Sequence, residues 1–424
     1  MRRTFRALQI YNYRLWVSGA LVSNIGTWMQ RVAQDWLVLT VLTNHSGTAV
    51  GIATGLQFLP ILFLGPYAGL LGDRVTKRRL LLWTQTAMGL TALVLGLLVV
   101  TNAVQLWHVY LLALALGVAS AIDAPSRQAF VSEVVPRDDV PNAVALNSAS
   151  FNMARLAGPG VAGLLIAWIG TGPVFLLNAA SFAAVILSLL GMREAELRPT
   201  TRVPRGKGQL REGVRYVKGR PDLVLILVLV GVVGTFGLNF QVTNALMATS
   251  VFGKGPGEYG LLGSIMAIGT LAAAFLAARR QGTRLRYVLG GAIGFGIFTL
   301  VACLMPSYLL YAVSLVLVGL TSLTFMNAAN TSIQLSVEPA MRGRVLALYM
   351  AIMQGGTPIG APLIGWIGTA LGPRWAVGLG GAIVLVAGLA AVVAVNRRNG
   401  VGLRDQVRTV TRVSVGRFTR RSTA

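Results

Sequence analysis

The chain has 424 residues, of which 54% are hydrophobic and only 12% are charged, and its formal net charge is +24. Soluble domains carry about twice that share of charged residues, so this composition excludes an ordinary soluble fold and indicates a protein that crosses a membrane repeatedly. Cys303 is the single cysteine, which excludes an intramolecular disulfide and a thiol-based metal site. We therefore expect no metal and no cofactor.

Twelve apolar segments are long enough to cross a bilayer, given a need for about 20 residues per span. They cover residues 15–42, 48–71, 80–100, 107–124, 142–168, 174–191, 223–250, 257–278, 287–305, 308–336, 345–369 and 375–395. The sequence thus predicts an all-α polytopic membrane protein with 12 transmembrane helices.

The basic residues are distributed unevenly between the two predicted faces. If both termini are cytoplasmic, every Lys and Arg falls on the cytoplasmic side except Lys254 and Arg374 outside and Arg31 and Arg155 within spans. Cytoplasmic loops of membrane proteins carry such an excess of positive charge. The excess of basic residues therefore indicates how the chain is oriented in the membrane, and we expect no nucleic-acid partner.

A polar segment divides the chain into two similar halves. The predicted divisions are 1–192 for a first six-helix bundle, 193–222 for a cytoplasmic linker, 223–396 for a second six-helix bundle and 397–424 for a basic tail. The linker holds nine basic residues, and a short helix is expected around Gln209–Lys218. The Arg-rich tail is expected to be attracted to anionic membrane lipid.

Residues recur between the halves at a nearly constant offset. Gly117 and Ser120 match Gly319 and Ser322, and the four residues 168–171 recur as 366–369. Because each half has an even number of spans, the repeats are parallel and are related by a pseudo-twofold axis along the membrane normal. A central cavity between the bundles follows, and a monomer is expected because one chain supplies both halves.

Four polar residues lie inside the first span: Gln30, Arg31, Gln34 and Asp35. A charged residue at the bilayer centre costs about 2.5–3.5 kcal/mol on insertion scales, so it usually faces a cavity or a partner. Arg31 and Asp35 are four residues apart, share a helix face and can neutralise each other. This helix is therefore predicted to line a transport path.

Other spans carry polar residues at helical spacing. The candidate cavity residues are Asn24, Gln30, Arg31, Gln34, Asn152, Arg155, Asn239, Asn244, Asn327 and Gln334. The alternative role is hydrogen bonding between helices, worth about 0.6 kcal/mol per bond. Arg155 is a candidate for such a role if it pairs with Asp35 across adjacent helices.

The segment between the second and third spans, Gly69 to Leu80, resembles the cytoplasmic signature G-x-L-x-D-R-x-G-R-K/R of the major facilitator superfamily. Thr76 replaces the second glycine of that signature. The resemblance implies a cytoplasmic gate in which Asp73 faces the N-terminus of a helix in the other bundle. The gate residues are Gly69, Asp73, Arg74, Lys77, Arg78 and Arg127; Lys77 and Arg78 also serve as topological anchors.

The fifth span contains Gly158, Pro159 and Gly163 in a pattern that resembles the Gly-Pro motif of antiporters in this superfamily. Proline removes a backbone donor and bends the helix, while small residues admit a close neighbour. The segments Trp36-Leu37-Val38 and Ala124-Pro125-Ser126-Arg127 resemble the exporter subgroup that includes enterobactin and macrolide effluxers.

This resemblance implies a secondary active transporter in the bacterial cytoplasmic membrane, with both termini cytoplasmic, and not an enzyme. It would export small amphiphilic molecules, such as a drug, a siderophore or another secondary metabolite, by alternating access and proton antiport. Asp35, taken as the one acid deep within a span, is the candidate proton carrier, and permanent pairing with an arginine is the alternative. Two arginines against one aspartate favour anionic or zwitterionic substrates.

Two other functions remain open at this stage. One is a lysophospholipid flippase or an importer, and the other is a non-transporting membrane sensor or scaffold. A scaffold needs neither a gate motif nor buried charges, so both features weigh against the second.

Overall fold

The computed structural model describes residues 5–198, 209–279 and 285–398, without the side chains of residues 65–74, 209–210 and 398. Throughout these ranges the regular structure is helical. The first half contains α1 (Tyr11–Trp36), α2 (Gly47–Arg74), α3 (Lys77–Val100), α4 (Leu106–Val134), α5 (Val140–Ile169) and α6 (Thr171–Leu190). A π-helical segment, Leu37–Leu42, extends α1.

The second half begins with the short helix predicted in the linker. Its helices are α7 (Gln209–Lys218), α8 (Pro221–Val232), α9 (Phe240–Leu246), α10 (Pro256–Ala278), α11 (Leu285–Leu304), α12 (Tyr308–Ser336), α13 (Pro339–Gly355), α14 (Thr357–Ala370) and α15 (Pro373–Arg398). Two π-helical segments, Val233–Gly237 and Met247–Val251, flank α9.

Proline and glycine set several of these helix ends. Proline occupies the first turn of α8 and α10, where its missing N–H would have no helical partner. Gly170 adopts a φ of 80° between α5 and α6, and Gly372 a φ of 105° before α15. Residues with side chains rarely adopt these dihedral angles, so glycine permits the tight reversals between consecutive helices.

Ten helical segments of the described chain are long and apolar enough to cross a membrane. The predicted first span is not among them, because α1 carries Arg31, Asp35 and several amides. The predicted eleventh span is divided at Gly356 into α13 and α14 of 17 and 14 residues, each too short on its own. The count of 12 spans and the pseudo-twofold repeat therefore remain predictions.

Each half packs mainly through its own helices. In the first half α3 contacts α4 and α6, and α1 contacts α5 and α6; in the second half α10 and α11 both contact α12. The most extensive contacts between the halves are those of α2 with α14 and of α5 with α10; α2 also contacts α13, and α9 contacts both α1 and α2. Together these contacts place α1, α5 and α10 side by side, and Arg31, Asp35 and Arg155 lie where they meet.

Both of the most extensive helix pairs, α2 with α14 and α5 with α10, are tightly packed near one end of the molecule, the end that bears the loop between α1 and α2 (residues 43–46). We name it the loop-45 end, after the residue number in that loop. A Cβ atom placed at Gly51 would lie 2.2 Å from the carbonyl oxygen of Ala361, and one at Gly163 would lie 2.4 Å from that of Pro256. Backbones therefore touch directly where small residues admit them. Thr48 adds a hydrogen bond from its backbone N–H to the Thr369 hydroxyl, 3.1 Å away.

Candidate functional site

A hydrogen bond connects the two halves at the buried acid of α1. The Tyr259 hydroxyl of α10 donates to Asp35 Oδ2 at 2.9 Å, and Asp35 and Tyr259 are 3% and 4% exposed. The Tyr259 ring also stacks on Trp36, with ring centroids 6.3 Å apart and an interplanar angle of 22°. A carboxylate of the first half is thus held by a side chain of the second.

Two arginines lie around one aromatic ring beside that acid. The Arg31 guanidinium carbon is 4.8 Å from the centroid of the Trp28 ring, and that of Arg155 is 5.9 Å from the same ring. Phe58 of α2 lies 5.8 Å from the Arg31 guanidinium carbon. We name this group the arginine pair (Arg31 and Arg155) and its ring (Trp28). It connects α1 with α5.

Trp28 is positioned by α5. A Cβ atom at Gly158 would lie 2.6 Å from the Cβ atom of Trp28, and Phe151 meets the Trp28 ring edge to face with centroids 6.2 Å apart. On the other side of α5, a Cβ atom at Gly260 of α10 would lie 2.2 Å from the Pro159 carbonyl oxygen. The Gly-Pro segment, including Gly163, thus lies where α1, α5 and α10 cross, although its role in antiport remains a prediction.

The aromatic contacts compensate only part of the cost of burying the two cations. Cation–π contacts are worth about 0.5–2 kcal/mol, whereas a central arginine costs about 2.5–3.5 kcal/mol on insertion scales. Arg31 Nε is buried and has no hydrogen-bond partner within the described chain. The arrangement therefore retains unsatisfied positive charge.

The expected ion pairs of Asp35 are not formed. Within the described ranges no nitrogen of Arg31 or Arg155 lies within 4.0 Å of a carboxylate oxygen. Asp35 instead accepts a hydrogen bond from the Tyr259 hydroxyl. The prediction that Arg155 pairs with Asp35 is wrong for this state. The reason is that α10 reaches α1 closely enough to supply a neutral donor.

Several predicted cavity residues hydrogen-bond elsewhere. Asn178 of α6 donates to Gln30, and Tyr311 of α12 donates to Asn244 Oδ1 at 2.7 Å. Asn239 Nδ2 donates to the Thr235 carbonyl oxygen at 2.7 Å. The first two bonds are the alternative that the sequence left open, hydrogen bonding between helices, whereas the third runs back one turn along the same segment.

The remaining predicted residues are spread along the bundles. Asn152 donates to the Ser148 carbonyl oxygen one turn back, and the exposed Gln334 side chain donates to Asn330. Gln34 is buried, whereas Asn24 and Asn327 are half-buried. Of the ten predicted cavity residues, Arg31 and Arg155 meet at one aromatic ring beside Asp35. A role in substrate binding stays a prediction for all ten.

Asp123 is a buried acid in the interior of α4, a candidate span, so the expectation that Asp35 is the only acid deep within a span is wrong. Asp123 Oδ1 accepts hydrogen bonds from Thr84 and Gln85, each at 2.7 Å, and Asp123 Oδ2 pairs with Arg127 Nε at 3.0 Å. The predicted fourth span ended at residue 124, whereas α4 continues to Val134. Asp123 and Arg127 are therefore one helical turn apart inside a single long helix.

Removing the Asp123 carboxylate is expected to destabilise the first half strongly. Asp123→Ala leaves Arg127 without its ion pair and the Gln85 amide without its acceptor, and breaking a buried pair from one side costs about 3–5 kcal/mol. Thermal unfolding of the detergent-solubilised protein would measure the loss. Asp123→Asn, which keeps an acceptor oxygen, should lose less, and Glu212→Ala, which removes an exposed pair with Arg344, should lose at most about 1 kcal/mol.

The gate residues lie at the other end of the molecule. Lys77 forms an ion pair with Glu133 of the first half, and Arg78 forms one with Glu194 at the start of the predicted linker. Gly69, Asp73 and Arg74 lie outside the described side chains. Gating by this segment therefore remains a prediction. Lys77 and Arg127 have ion-pair partners in the first half, and the partner of Arg78 lies at the start of the linker.

Sequence reasoning missed the partners of the buried charges. Tyr259, Trp28 and Asp123 were not singled out, although each is visible in the sequence as a polar or amphipathic residue within an apolar helix. Tyr259 could have been found as a tyrosine close to the same membrane depth as Asp35, because both lie near the loop-45 ends of their helices.

Comparison with known proteins assigns the family. A family model described as a transmembrane secretion effector matches residues 4–404. The chain belongs to this family of the major facilitator superfamily. It is a membrane transporter and not an enzyme, and the resemblance drawn from the loop motif is confirmed.

Curated relatives include siderophore and drug transporters. The staphyloferrin A transporter of Staphylococcus aureus is 25% identical over 358 residues, covering 82% of this chain and 87% of the relative. The multidrug efflux pump Tap of Mycolicibacterium fortuitum is 26% identical over 366 residues, covering 83% and 88%. The enterobactin exporter EntS of Shigella flexneri is 26% identical over 358 residues, covering 83% of each chain.

Solved structures show the same fold at low sequence identity. A mutant of the nucleoside transporter NupG superposes with a TM-score of 0.73 at 14% identity, covering 90% of this chain and 99% of that one. A bacterial homologue of the human lysosomal transporter Spinster, in an inward-facing and unoccupied conformation, gives a TM-score of 0.69 at 17% identity, covering 91% and 95%. These similarities establish the major facilitator fold.

Proposed function

We propose that the protein is a secondary active exporter of small amphiphilic molecules, working by alternating access and proton antiport. It acts as a monomer in a bacterial cytoplasmic membrane with both termini cytoplasmic, which makes the loop-45 end the outer end. The names of the siderophore and drug transporters among its relatives support export of this substrate class.

The observation that carries the coupling proposal is the bond between Asp35 and Tyr259. It joins a titratable group of one half to the other half, beside the tightly packed loop-45 end. The charged and titratable groups that act on this carboxylate are Arg31 on α1 and Tyr259 on α10, and Arg155 on α5 acts in turn on Arg31. A change at Asp35 is therefore positioned to alter a contact on which closure of that end depends.

The proposed cycle uses this carboxylate alternately for proton and substrate. While Asp35 is ionised, Tyr259 donates a charge-assisted hydrogen bond to it, which is stronger than a bond between neutral groups and favours the closed outer end. A substrate donor or cation that takes the place of Tyr259 breaks the contact and allows that end to open. A proton from outside then replaces the substrate at Asp35, so that each excludes the other.

The test uses inside-out vesicles that contain the wild type or Asp35→Asn. A pH gradient is imposed, and a panel of anionic and cationic amphiphiles is screened for its collapse. Collapse by the wild type alone is the expected result, because asparagine keeps the shape of the side chain but cannot carry a proton. Equal collapse of the pH gradient by both proteins would mean that a residue other than Asp35 carries the proton.

If no amphiphile in the panel collapses the pH gradient, proton antiport is overturned. Such a result would favour lipid movement or uniport, with Asp35 and Tyr259 as structural partners only. Protein content and orientation in each vesicle batch need to be matched, since either would alter the rate without altering the chemistry.

A further inference from the structure

Among the described side chains, the arginine pair and its ring have no carboxylate in direct contact. Arg31 and Arg155 approach the same Trp28 ring, and no carboxylate of the described chain lies within 4.0 Å of either guanidinium. We propose that the pair is a binding subsite for a planar anionic group, a carboxylate, on the transported amphiphile. This inference rests on the proposed function, since it names the substrate chemistry of the same site.

The charge balance of the surrounding elements supports an anion. With Asp35 ionised, the two arginines leave one surplus positive charge, and Asp35 itself is occupied by Tyr259. Aromatic side chains lie against the arginine pair: Trp28 from α1 beside both guanidiniums and Phe58 from α2 beside that of Arg31. A buried guanidinium nitrogen needs a charged partner or a hydrogen-bond acceptor, and the part of the chain that the structure describes supplies neither to Arg31 Nε.

The geometry suits a carboxylate more than a single-point anion. A guanidinium offers a rigid, planar fork of donors that matches two carboxylate oxygens. Trp28 is fixed between α1 and α5 by its packing against Gly158 and Phe151, so the two forks are held in place before the ligand arrives.

The subsite also lies close enough to Asp35 to take part in exchange. Arg31 and Asp35 are four residues apart on α1, a rise of about 6 Å along the helix. A substrate anchored through its carboxylate at the arginine pair can therefore present a donor or cationic group to Asp35. A substrate with unlike polar groups at this separation satisfies both the surplus positive charge and the exchange at the acid.

Binding of three matched probes to the purified full-length protein in detergent tests the subsite. Pyrenebutyrate, pyrenebutanol and pyrenebutylamine share one apolar body and differ in the charge at its end; energy transfer from tryptophan to pyrene reports their binding. We expect Arg155→Met to weaken pyrenebutyrate about tenfold or more, with the neutral probe unchanged and the cationic one unchanged or tighter. Arg155→Lys should recover part of the loss, because it restores the charge but not the fork.

The control is Arg286→Met, which removes an exposed arginine that also lies over an aromatic ring, at 5.0 Å from the centroid of Tyr287. It should leave all three affinities unchanged. Equal weakening of the three probes by Arg155→Met, or unchanged pyrenebutyrate affinity, would overturn the anion subsite. Neither outcome bears on proton antiport, which the vesicle assay with Asp35→Asn tests separately.

Discussion

Replacing Gly51 by leucine is expected to abolish transport and to prevent closure of the loop-45 end. Even the first carbon of the new side chain would lie 2.2 Å from the Ala361 carbonyl oxygen, which belongs to the backbone of α14 and cannot rotate away. Relief of this contact requires α2 and α14 to separate by about 1 Å, since carbon and oxygen normally stay more than 3 Å apart. The rest of the leucine side chain would demand a larger separation.

Disulfide formation across the same interface measures this effect directly. In a Cys303→Ser background, Thr48→Cys and Thr369→Cys place two thiols at positions whose hydroxyl oxygens lie 3.3 Å apart. Oxidation should link them rapidly in the parent and at least about tenfold more slowly with Gly51→Leu. Gly51→Ala should give an intermediate rate.

The matched control is Gly290→Leu, because a Cβ atom at Gly290 would meet no atom within 4 Å. It should preserve both cross-linking and transport. Rapid cross-linking in Gly51→Leu would show that the interface between α2 and α14 accommodates the leucine side chain without separating. The close packing at Gly51 would then no longer support a closed outer end.

The buried charges could be predicted from the sequence because their penalty in a membrane is large and local. Arg31, Asp35 and Arg155 interrupt apolar segments, and the structure places all three in one region. The linker helix was predictable for a related reason, since its polar residues follow helical spacing between two apolar stretches. Patterns along the chain are therefore informative where the physical constraint lies within one helix.

The partners of those charges could not be predicted, since they depend on how helices from different halves approach each other. Judged from the sequence alone, an ion pair with Arg155 is as reasonable a partner for Asp35 as the hydrogen bond from Tyr259 that is observed. What decides between them is the close approach of α10 to α5 at Gly260 and Pro159, which brings Tyr259 to α1. Asp123 was missed because the apolar pattern ends about ten residues before α4 does.

Removing only the Tyr259 hydroxyl is expected to uncouple transport from the pH gradient. Tyr259→Phe keeps the ring that stacks on Trp36 but leaves the buried Asp35 without its donor. A hydrogen bond to a charged group contributes about 1.5–3 kcal/mol, so its loss should shift the balance away from the closed outer end by roughly tenfold to a hundredfold. The Thr48–Thr369 cross-linking rate measured across pH, together with proton flux per substrate, would detect this shift.

Tyr311→Phe provides the control for the loss of a buried hydroxyl as such. Tyr311 is fully buried and donates to Asn244 at 2.7 Å, but both residues belong to the second half. Its substitution should lower thermal stability by a similar amount and leave the pH dependence of cross-linking intact. If both variants behave alike, the Tyr259 bond stabilises the fold without coupling the halves.

A double-mutant cycle gives the sharper result, because Asp35 and Tyr259 are in direct contact. If their bond transmits protonation to the outer end, Tyr259→Phe should change the cross-linking rate in the wild type and have little further effect in Asp35→Asn. Additive effects of the two substitutions would mean that each residue acts on the outer end independently. Non-additivity here, with additivity between Asp35→Asn and Tyr311→Phe, is the pattern that only a cross-bundle contact predicts.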